Sequence, residues 1–332
     1  MKNFTYEEVS AATNDFDLDL LVGKGSHGSV YKALLKGGVA VAVKQPKPAG
    51  ADRSKLDNEI DILSSCRSKH IVNLVGVARS PGGDKLLIME YMPNGSLEEL
   101  LHSSPDPPDW RRRVAVALGV GRALLGLHLA SPPIVHRDVK PANVLFDARW
   151  RARLADFSLA TRCDGSCVPA AGTLGYIDPG YVRPGQLWPG VDVFSFGVML
   201  LELLTGGRAI EVGRDPAWVV EWAVPRIGKG GETALEVTDG RVGVGEGMEV
   251  VVEKMMEVAA RCLSKEWSRR PGMEEVAEEL ERAVERVWRP VCDVGEVVQA
   301  VGRWMQGWRR RRQKRVTSTA TTKIIYEIDG GD

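Results

Sequence analysis

His136-Arg137-Asp138-Val139-Lys140-Pro141-Ala142-Asn143-Val144-Leu145 is followed, thirteen residues after Asn143, by Asp156-Phe157-Ser158. Asp138 offers a carboxylate that can take the proton of a hydroxyl. Lys140, two positions on, can neutralise charge on a phosphoryl group in transfer. Asn143 and Asp156 carry oxygen donors of the hard type that magnesium prefers. Packing alone does not ask for four polar residues in this order and spacing.

Upstream, Gly23-Lys24-Gly25-Ser26-His27-Gly28-Ser29-Val30 has the GxGxxG form. By itself that pattern is weak. A dinucleotide site would continue into a helix, with an acid about 20 residues further on. Here Val30-Tyr31-Lys32-Ala33 is β-prone, so a glycine flap between two strands fits better. Such a flap lets backbone N–H groups approach a polyphosphate with no Cβ in the way; a tight hairpin with no ligand is the plain alternative. Lys44 closes Val41-Ala42-Val43-Lys44. The period of two sets Ala42 and Lys44 on one face, where a small apolar residue and an ammonium suit a base ring and a phosphate. Glu59, on the following helical segment, can pair with Lys44, although either residue alone would ordinarily read as a solvated surface charge.

The 332 residues suggest two domains or one two-lobed unit, at about 150 residues per domain. Lys+Arg and Asp+Glu both number 44, so no global charge draws the chain to nucleic acid or membrane. Five cysteines form no CxxC pair, which speaks against a disulfide framework or a zinc site and for reduced thiols. Met1–Leu21 has no apolar signal core, position 2 is Lys2 rather than the glycine of a myristoylation site, and Val193–Leu204 is too short and too polar to span a bilayer.

Periodicity predicts strands over 17–45 and 71–92. It predicts helices over 52–66, 110–129, 192–205, 249–263 and 273–288, with a loose Gly-rich connector over 225–247. The breaker cluster Met92-Pro93-Asn94-Gly95 marks the domain boundary. The result is an α+β, two-lobed chain: a lead-in 1–16, a β-rich lobe 17–92, a helical lobe 93–290, and an extension 291–332. The extension carries a basic run (309–315) and a Ser/Thr-rich tail expected to be disordered.

These motifs together resemble the eukaryotic protein kinases, from about Phe4 to about Val287. More narrowly the chain is similar to plant receptor-like kinases, through Phe4–Phe16, Gly172-Thr-Leu-Gly-Tyr-Ile-Asp-Pro179, Asp192-Val-Phe-Ser-Phe-Gly197 and Arg270-Pro-Gly-Met273. The Gly-Ser-His-Gly form of the loop is similar to their crinkly-type branch. The resemblance implies a serine/threonine kinase that uses ATP and Mg2+ on protein substrates. The loop from Val22 through Gly23, Lys24, Gly25, Ser26, His27, Gly28 and Ser29 to Val30 would cover ATP, with Val30 and Ala42 above the adenine and Leu145 below. Lys44 would contact the phosphates and pair with Glu59. Met89 would be the gatekeeper, and Glu90, Tyr91 and Met92 the hinge. Asp138 would be the base, Lys140 would fit Ser/Thr specificity, and Asn143 and Asp156 would hold magnesium. Thr173 would line the site of the residue after the acceptor. Phe157 and His136, with Leu63, would stack in a spine between the lobes. Arg137 would pair with a phosphate on the activation segment, where Thr161 and Ser166 are the hydroxyls between residues 159 and 172.

Two positions depart from the family. Ser158 stands where it has Gly, whose wider backbone angles cost other residues roughly 1 to 2 kcal/mol, so Ser158 would restrict the switching of Phe157 while leaving the metal ligand Asp156 in place. Gly180 stands where a carboxylate usually pairs with the counterpart of Arg270; Arg270 is then either an unpaired buried charge, at about 3 to 5 kcal/mol, or paired with water or another acid. A kinase-fold scaffold without useful turnover is therefore the alternative. The run 309–315 reads as a nuclear import signal, an anionic-lipid contact or a solvated tail. Cys163 and Cys167 read as reduced thiols, with a redox-sensitive pair as the alternative. The expected setting is cytoplasmic, beside a membrane receptor, with no nucleic-acid partner.

Overall fold

The computed structural model describes residues 1–25, 28–47, 53–165, 168–181 and 187–287. Strand β4 (Val39–Gln45) shows why the amino-terminal half folds as it does. Its alternation sends Val41 and Val43 into a core with Phe4, Val9, Ala33, Ala78, Leu86 and Ile88, while Ala42 and Lys44 take the opposite face. Around it lie β1 (Lys2–Asn3), β2 (Leu21–Gly25), β3 (Gly28–Leu35), β5 (Leu74–Arg79) and β6 (Lys85–Glu90), in the order β1-β5-β6-β4-β3-β2. The registers Lys24↔Ser29 and Val30↔Lys44 bring the glycine segment beside Lys44. Helix α2 (Arg53–Ser65) packs against β5 and β6.

Residues 1–16 are more than a lead-in. Strand β1 extends the sheet, parallel to β5 through Lys2↔Gly76. Helix α1 (Tyr6–Ala12) opens with a capping box in which Glu8 N–H donates to Thr5 Oγ1 (3.1 Å) and Thr5 N–H to Glu8 Oε2 (2.9 Å). The helix buries Val9 against the sheet. Glycine at 76 is required by this arrangement, because a Cβ there would lie 2.2 Å from the Lys2 carbonyl oxygen.

The second half is helical: α3 (Leu97–His102), α4 (Trp110–His128), α5 (Gly190–Thr205), α6 (Val219–Ile227), α7 (Gly231–Leu235), α8 (Glu249–Cys262) and α9 (Met273–Val287). Short strands β7 (Ile134–Val135), β8 (Val144–Phe146), β9 (Ala152–Leu154) and β10 (Thr161–Arg162) carry the polar loops. Helix α5 is buried from Gly190 to Leu204 and stops at Gly206, whose φ of 68° makes the left-handed cap. Among the described residues no helix is long and apolar enough to cross a membrane. The chain divides into units Met1–Val284 and Glu285–Asp332; the basic run 309–315 and the tail lie outside the described residues.

The connector expected over 225–247 is more ordered than its glycines suggest. It holds the end of α6, all of α7, and Asp239, which is 3% exposed. Asp239 Oδ2 accepts from Arg113 Nη2 (2.5 Å), while the same guanidinium donates to the carbonyls of Pro108 (2.7 Å) and Leu203 (2.7 Å). Periodicity cannot find a segment anchored by one buried ion pair rather than by an apolar stripe. Burial alone would raise the Asp239 pKa, but hydrogen bonds from Arg241 and Arg113 hold it at about 2. An unfolded aspartate titrates near about 3.9. The stabilisation is therefore complete above that pH and is lost as pH falls toward 2. Arg113→Ala is expected to lower the unfolding free energy by about 3 to 5 kcal/mol. Urea midpoints measured between about pH 5 and about pH 2 should fall for the wild type and fall less for the variant.

Candidate active site

The carboxylate of Asp192, in the first turn of α5 and fully buried, fixes the loop that carries the polar motif. Its Oδ2 accepts the His136 N–H (2.7 Å) and its Oδ1 the Arg137 N–H (2.8 Å), with His128 Nε2 3.0 Å from Oδ2. Arg137 has a φ of 71°, a left-handed conformation that a non-glycine residue keeps only when its surroundings hold it. In the sequence Asp192 stands out only as part of a family-like stretch; its signal is an acid in the first turn of a largely apolar helix.

Asp138 follows, 7% exposed. Its Oδ1 accepts from Thr173 Oγ1 (2.5 Å), and its Oδ2 from Asn143 Nδ2 (2.9 Å) and Lys140 Nζ (2.9 Å). Lys140 Nζ also donates to Thr173 Oγ1 (2.7 Å). Thr173 thus sits against the carboxylate itself, closer to the chemistry than its sequence role implied. His136 Nδ1 accepts the Asp138 N–H (3.3 Å), which leaves Nε2 to donate to the Ala155 carbonyl (3.0 Å).

Lys44 is the second centre. Its ammonium lies 2.7 Å from Glu59 Oε2 on α2 and 2.9 Å from Asp156 Oδ1. Burial would strip its proton, but the two carboxylates outweigh burial and lift the pKa to about 12. Burial pushes the Glu59 carboxyl up. Asp156 is pulled well below the carboxylate range, because Lys44 overrides the effect of burial. Glu59 Oε1 also accepts the Phe157 N–H (3.2 Å), and Phe157 meets His136 edge-on at 4.9 Å. Leu63 is buried on the same helix as Glu59.

The two oxygen donors expected to hold a metal are tied together, because the Ala155 N–H donates to the Asn143 carbonyl (2.8 Å). Asn143 uses Nδ2 on Asp138, so its amide oxygen accepts nothing among the described residues. Asp156 engages Lys44 and the Ser158 N–H (3.4 Å) through Oδ1, leaving Oδ2. Among the described residues no cluster of three or more His, Cys, Asp or Glu is placed to hold a metal. A pair of open oxygens fits Mg2+, which takes one or two protein ligands and completes its shell with water and phosphate.

Other expected residues fall into place unevenly. Ala42 is 8% exposed beside Lys44, Val30 and Leu145 are half-buried, and Val22, at 50% exposure, and Lys24 face solvent. Glycine at 28 is demanded by the fold, since a Cβ there would lie 2.2 Å from the Gln45 carbonyl oxygen. At Gly23 a Cβ would meet nothing closer than Val30 at 3.8 Å; the fold does not require that glycine, whereas a close ligand would. Met89 is half-buried opposite Ala42, and Glu90 Oε2 accepts from Asn73 through its N–H (3.2 Å) and Nδ2 (3.0 Å). Ser26, His27, Ser166 and Cys167 lie outside the described residues. The Cys163 thiol is half-buried, and burial raises its pKa, which suits an unreactive thiol.

Three positions singled out in the sequence have the following surroundings. Ser158 is buried but is absent from the left-handed residues, where Asp156 (φ 60°) is found, so serine at 158 carries no such strain here. Arg270 does not lack an acid: Nη1 donates to Asp178 Oδ2 and Nη2 to Asp178 Oδ1 (3.0 Å), while Nε reaches the Ser264 carbonyl (2.9 Å). The carboxylate comes from two positions upstream of Gly180, and the indole of Trp267 fills the space beside Gly180, 2.3 Å from where a Cβ would stand. Arg137, expected to meet a phosphate on the activation segment, donates to the carbonyls of Leu159 (3.3 Å) and Pro169, while its buried Nε has no partner among the described residues. Thr161 lies on β10, opposite Val135.

A sheet lobe and a helical lobe, with an ion-paired lysine, a loop aspartate and two open oxygen donors, define the α+β two-lobed class of phosphoryl-transfer folds. The chain belongs to the protein kinase domain family, which it matches over residues 16–280. A serine/threonine-protein kinase-like protein of Arabidopsis thaliana is 39% identical, with 97% of each chain covered. The probable serine/threonine-protein kinase PBL26 of the same plant is 41% identical over 84% of this chain and 70% of its own. The proline-rich receptor-like protein kinase PERK13, also from Arabidopsis thaliana, is 39% identical, covering 84% of this chain and 41% of its own length.

Asp178→Asn is expected to lower the unfolding free energy by about 3 to 5 kcal/mol, because a buried guanidinium loses its counter-charge. Gly180→Glu, which restores the family carboxylate, is expected to lower it too, by about 1 to 3 kcal/mol, through collision with Trp267. Denaturant titration of both variants checks this, and a Gly180→Glu protein more stable than wild type would contradict it.

Proposed function

We propose that the chain is an active protein serine/threonine kinase, transferring the γ-phosphoryl group of ATP to Ser or Thr hydroxyls of proteins. The observation that carries this is the buried Glu59–Lys44–Asp156 triad. An ammonium kept charged on the cleft face of β4 suits the phosphates of a nucleotide. Asp138 receives the acceptor hydroxyl proton at Oδ1, the oxygen now bonded by Thr173. The acceptor oxygen forms the new P–O bond as the bond to the ADP leaving group breaks. Lys140 holds positive charge beside the reacting oxygens. Asn143 and Asp156 would hold Mg2+, which supplies charge neutralisation to the phosphates when bound. Protein substrates, work beside a membrane receptor and a cytoplasmic setting accompany this reading. The crinkly-type branch rests on residues 25–28 alone.

A kinase-fold scaffold is the second reading. Its support is Ser158 and Gly180; Ser158 lies outside the left-handed residues, and Asp178 pairs with Arg270 beside Gly180. The deciding experiment measures phosphate incorporation from labelled ATP and Mg2+ into a basic acceptor protein. Wild type should label Ser and Thr. Asp138→Asn and Lys44→Met should each lose at least about 100-fold. Labelling unchanged in Asp138→Asn, or none in wild type while ATP still raises its melting temperature, would favour the scaffold.

Arg137 generates a separate expectation. Its guanidinium already binds carbonyls at both sides of the activation segment, so the segment is held without a phosphate. The double variant Thr161→Ala/Ser166→Ala should keep activity within about threefold of wild type. A loss beyond about tenfold would mean that a phosphate replaces those carbonyls in the active form.

A further inference from the structure

A cavity of about 320 Å³ lies where the connector after β6 meets the β8–β9 turn, away from Lys44 and Asp138. Arg149, Arg151 and Arg153 form one side; Val39, Val75 and Met92 contribute an apolar wall. Asp147 organises the arginines. Its Oδ1 accepts the N–H groups of Arg149 (2.9 Å) and Arg151 (3.0 Å), and its Oδ2 accepts Arg151 Nε (2.8 Å) and Arg153 Nη2 (3.0 Å).

With both oxygens engaged, Asp147 can satisfy no further donors. Arg153 is 7% exposed, yet its Nη1 group bonds nothing among the described residues. Arg151 has only Nε engaged, and the Arg149 guanidinium meets no acid among the described residues. Glu90, the other acid of the lining, is turned to Asn73. The lining sets three guanidinium groups against two carboxylates, Asp147 and Glu90.

We propose that this cavity binds a phosphorylated serine or threonine side chain of a partner protein, with an apolar neighbour of that residue against Val39 and Met92. Guanidinium forks with unengaged N–H groups match a phosphate dianion in charge and geometry. The volume is at the small end of ligand cavities, roughly 300 to 1,000 Å³, right for one modified side chain and its neighbour. The lining includes Glu90, Tyr91 and Met92 of the expected hinge but neither Lys44 nor Asp138, so the proposal requires that a phosphorylated partner docks while the nucleotide is bound.

The test uses the full chain and two fluorescent degenerate peptide pools, centred on phosphoserine or on serine, with anisotropy as readout. Wild type should bind the phosphoserine pool at least about tenfold more tightly, and less tightly as salt rises. Arg149→Ala/Arg151→Ala should lose that preference with an unchanged melting temperature. Arg149→Ala alone, whose side chain makes no acid contact to lose, should weaken it. Saturating non-hydrolysable ATP analogue should not displace the peptide, and inorganic phosphate should compete only weakly. Equal binding of the two pools, a preference intact in the double variant, displacement by the ATP analogue, or phosphate competing as well as the peptide would overturn the proposal.

Discussion

The carboxylate of Asp192 is the constraint on which the site depends. It sits at the head of a helix buried along nearly its whole length, so it cannot shift without disturbing the core. Two successive backbone N–H groups converge on it, and the left-handed turn at Arg137 that this requires aims Asp138 at Thr173 and Lys140. A carboxylate accepting two backbone donors in a water-poor setting holds geometry more firmly than a surface contact does. The loop is therefore rigid because its anchor lies in the helical core rather than in the loop.

Lys44 performs the matching task for the other lobe. One ammonium joins strand β4, helix α2 and the Asp156 segment, so the three elements share a single electrostatic centre. Removing Lys44 leaves the buried Glu59 carboxylate without its cation, which costs more than the pair itself contributes. Coupling of this kind transmits the position of α2 to Asp156, and Asn58 Nδ2 reinforces it by donating to the Ala160 carbonyl (2.6 Å).

The departures from the family pattern show compensation at short range. Arg270 keeps a bidentate acid because Asp178 stands two residues before the position where the family carries one, and Trp267 fills the volume that the missing side chain leaves. Serine at 158 is accommodated in the same spirit, by a backbone that places the left-handed residue at Asp156 instead.

Period-two alternation in Val39–Lys44 was enough to put Lys44 and Ala42 on one face, and 3.6-residue periodicity was enough for α2, α4, α5, α8 and α9, because local spacing alone decides these. The order Asp138, Lys140, Asn143, Asp156 announced the chemistry, since those donors are useless in any other company. Tertiary structure decided what depends on distant pairing. Residues 1–16 became a sixth strand and a helix only because Gly76 lets the backbones meet. The segment around Asp239 is anchored by Arg113, which lies 126 residues away in sequence. Asp178 serves Arg270, and Arg137 reaches the carbonyls of Leu159 and Pro169. A sequence shows which charges exist; which of them meet is settled by the fold that buries them together, because a buried charge must find its partner wherever the chain brings one within reach.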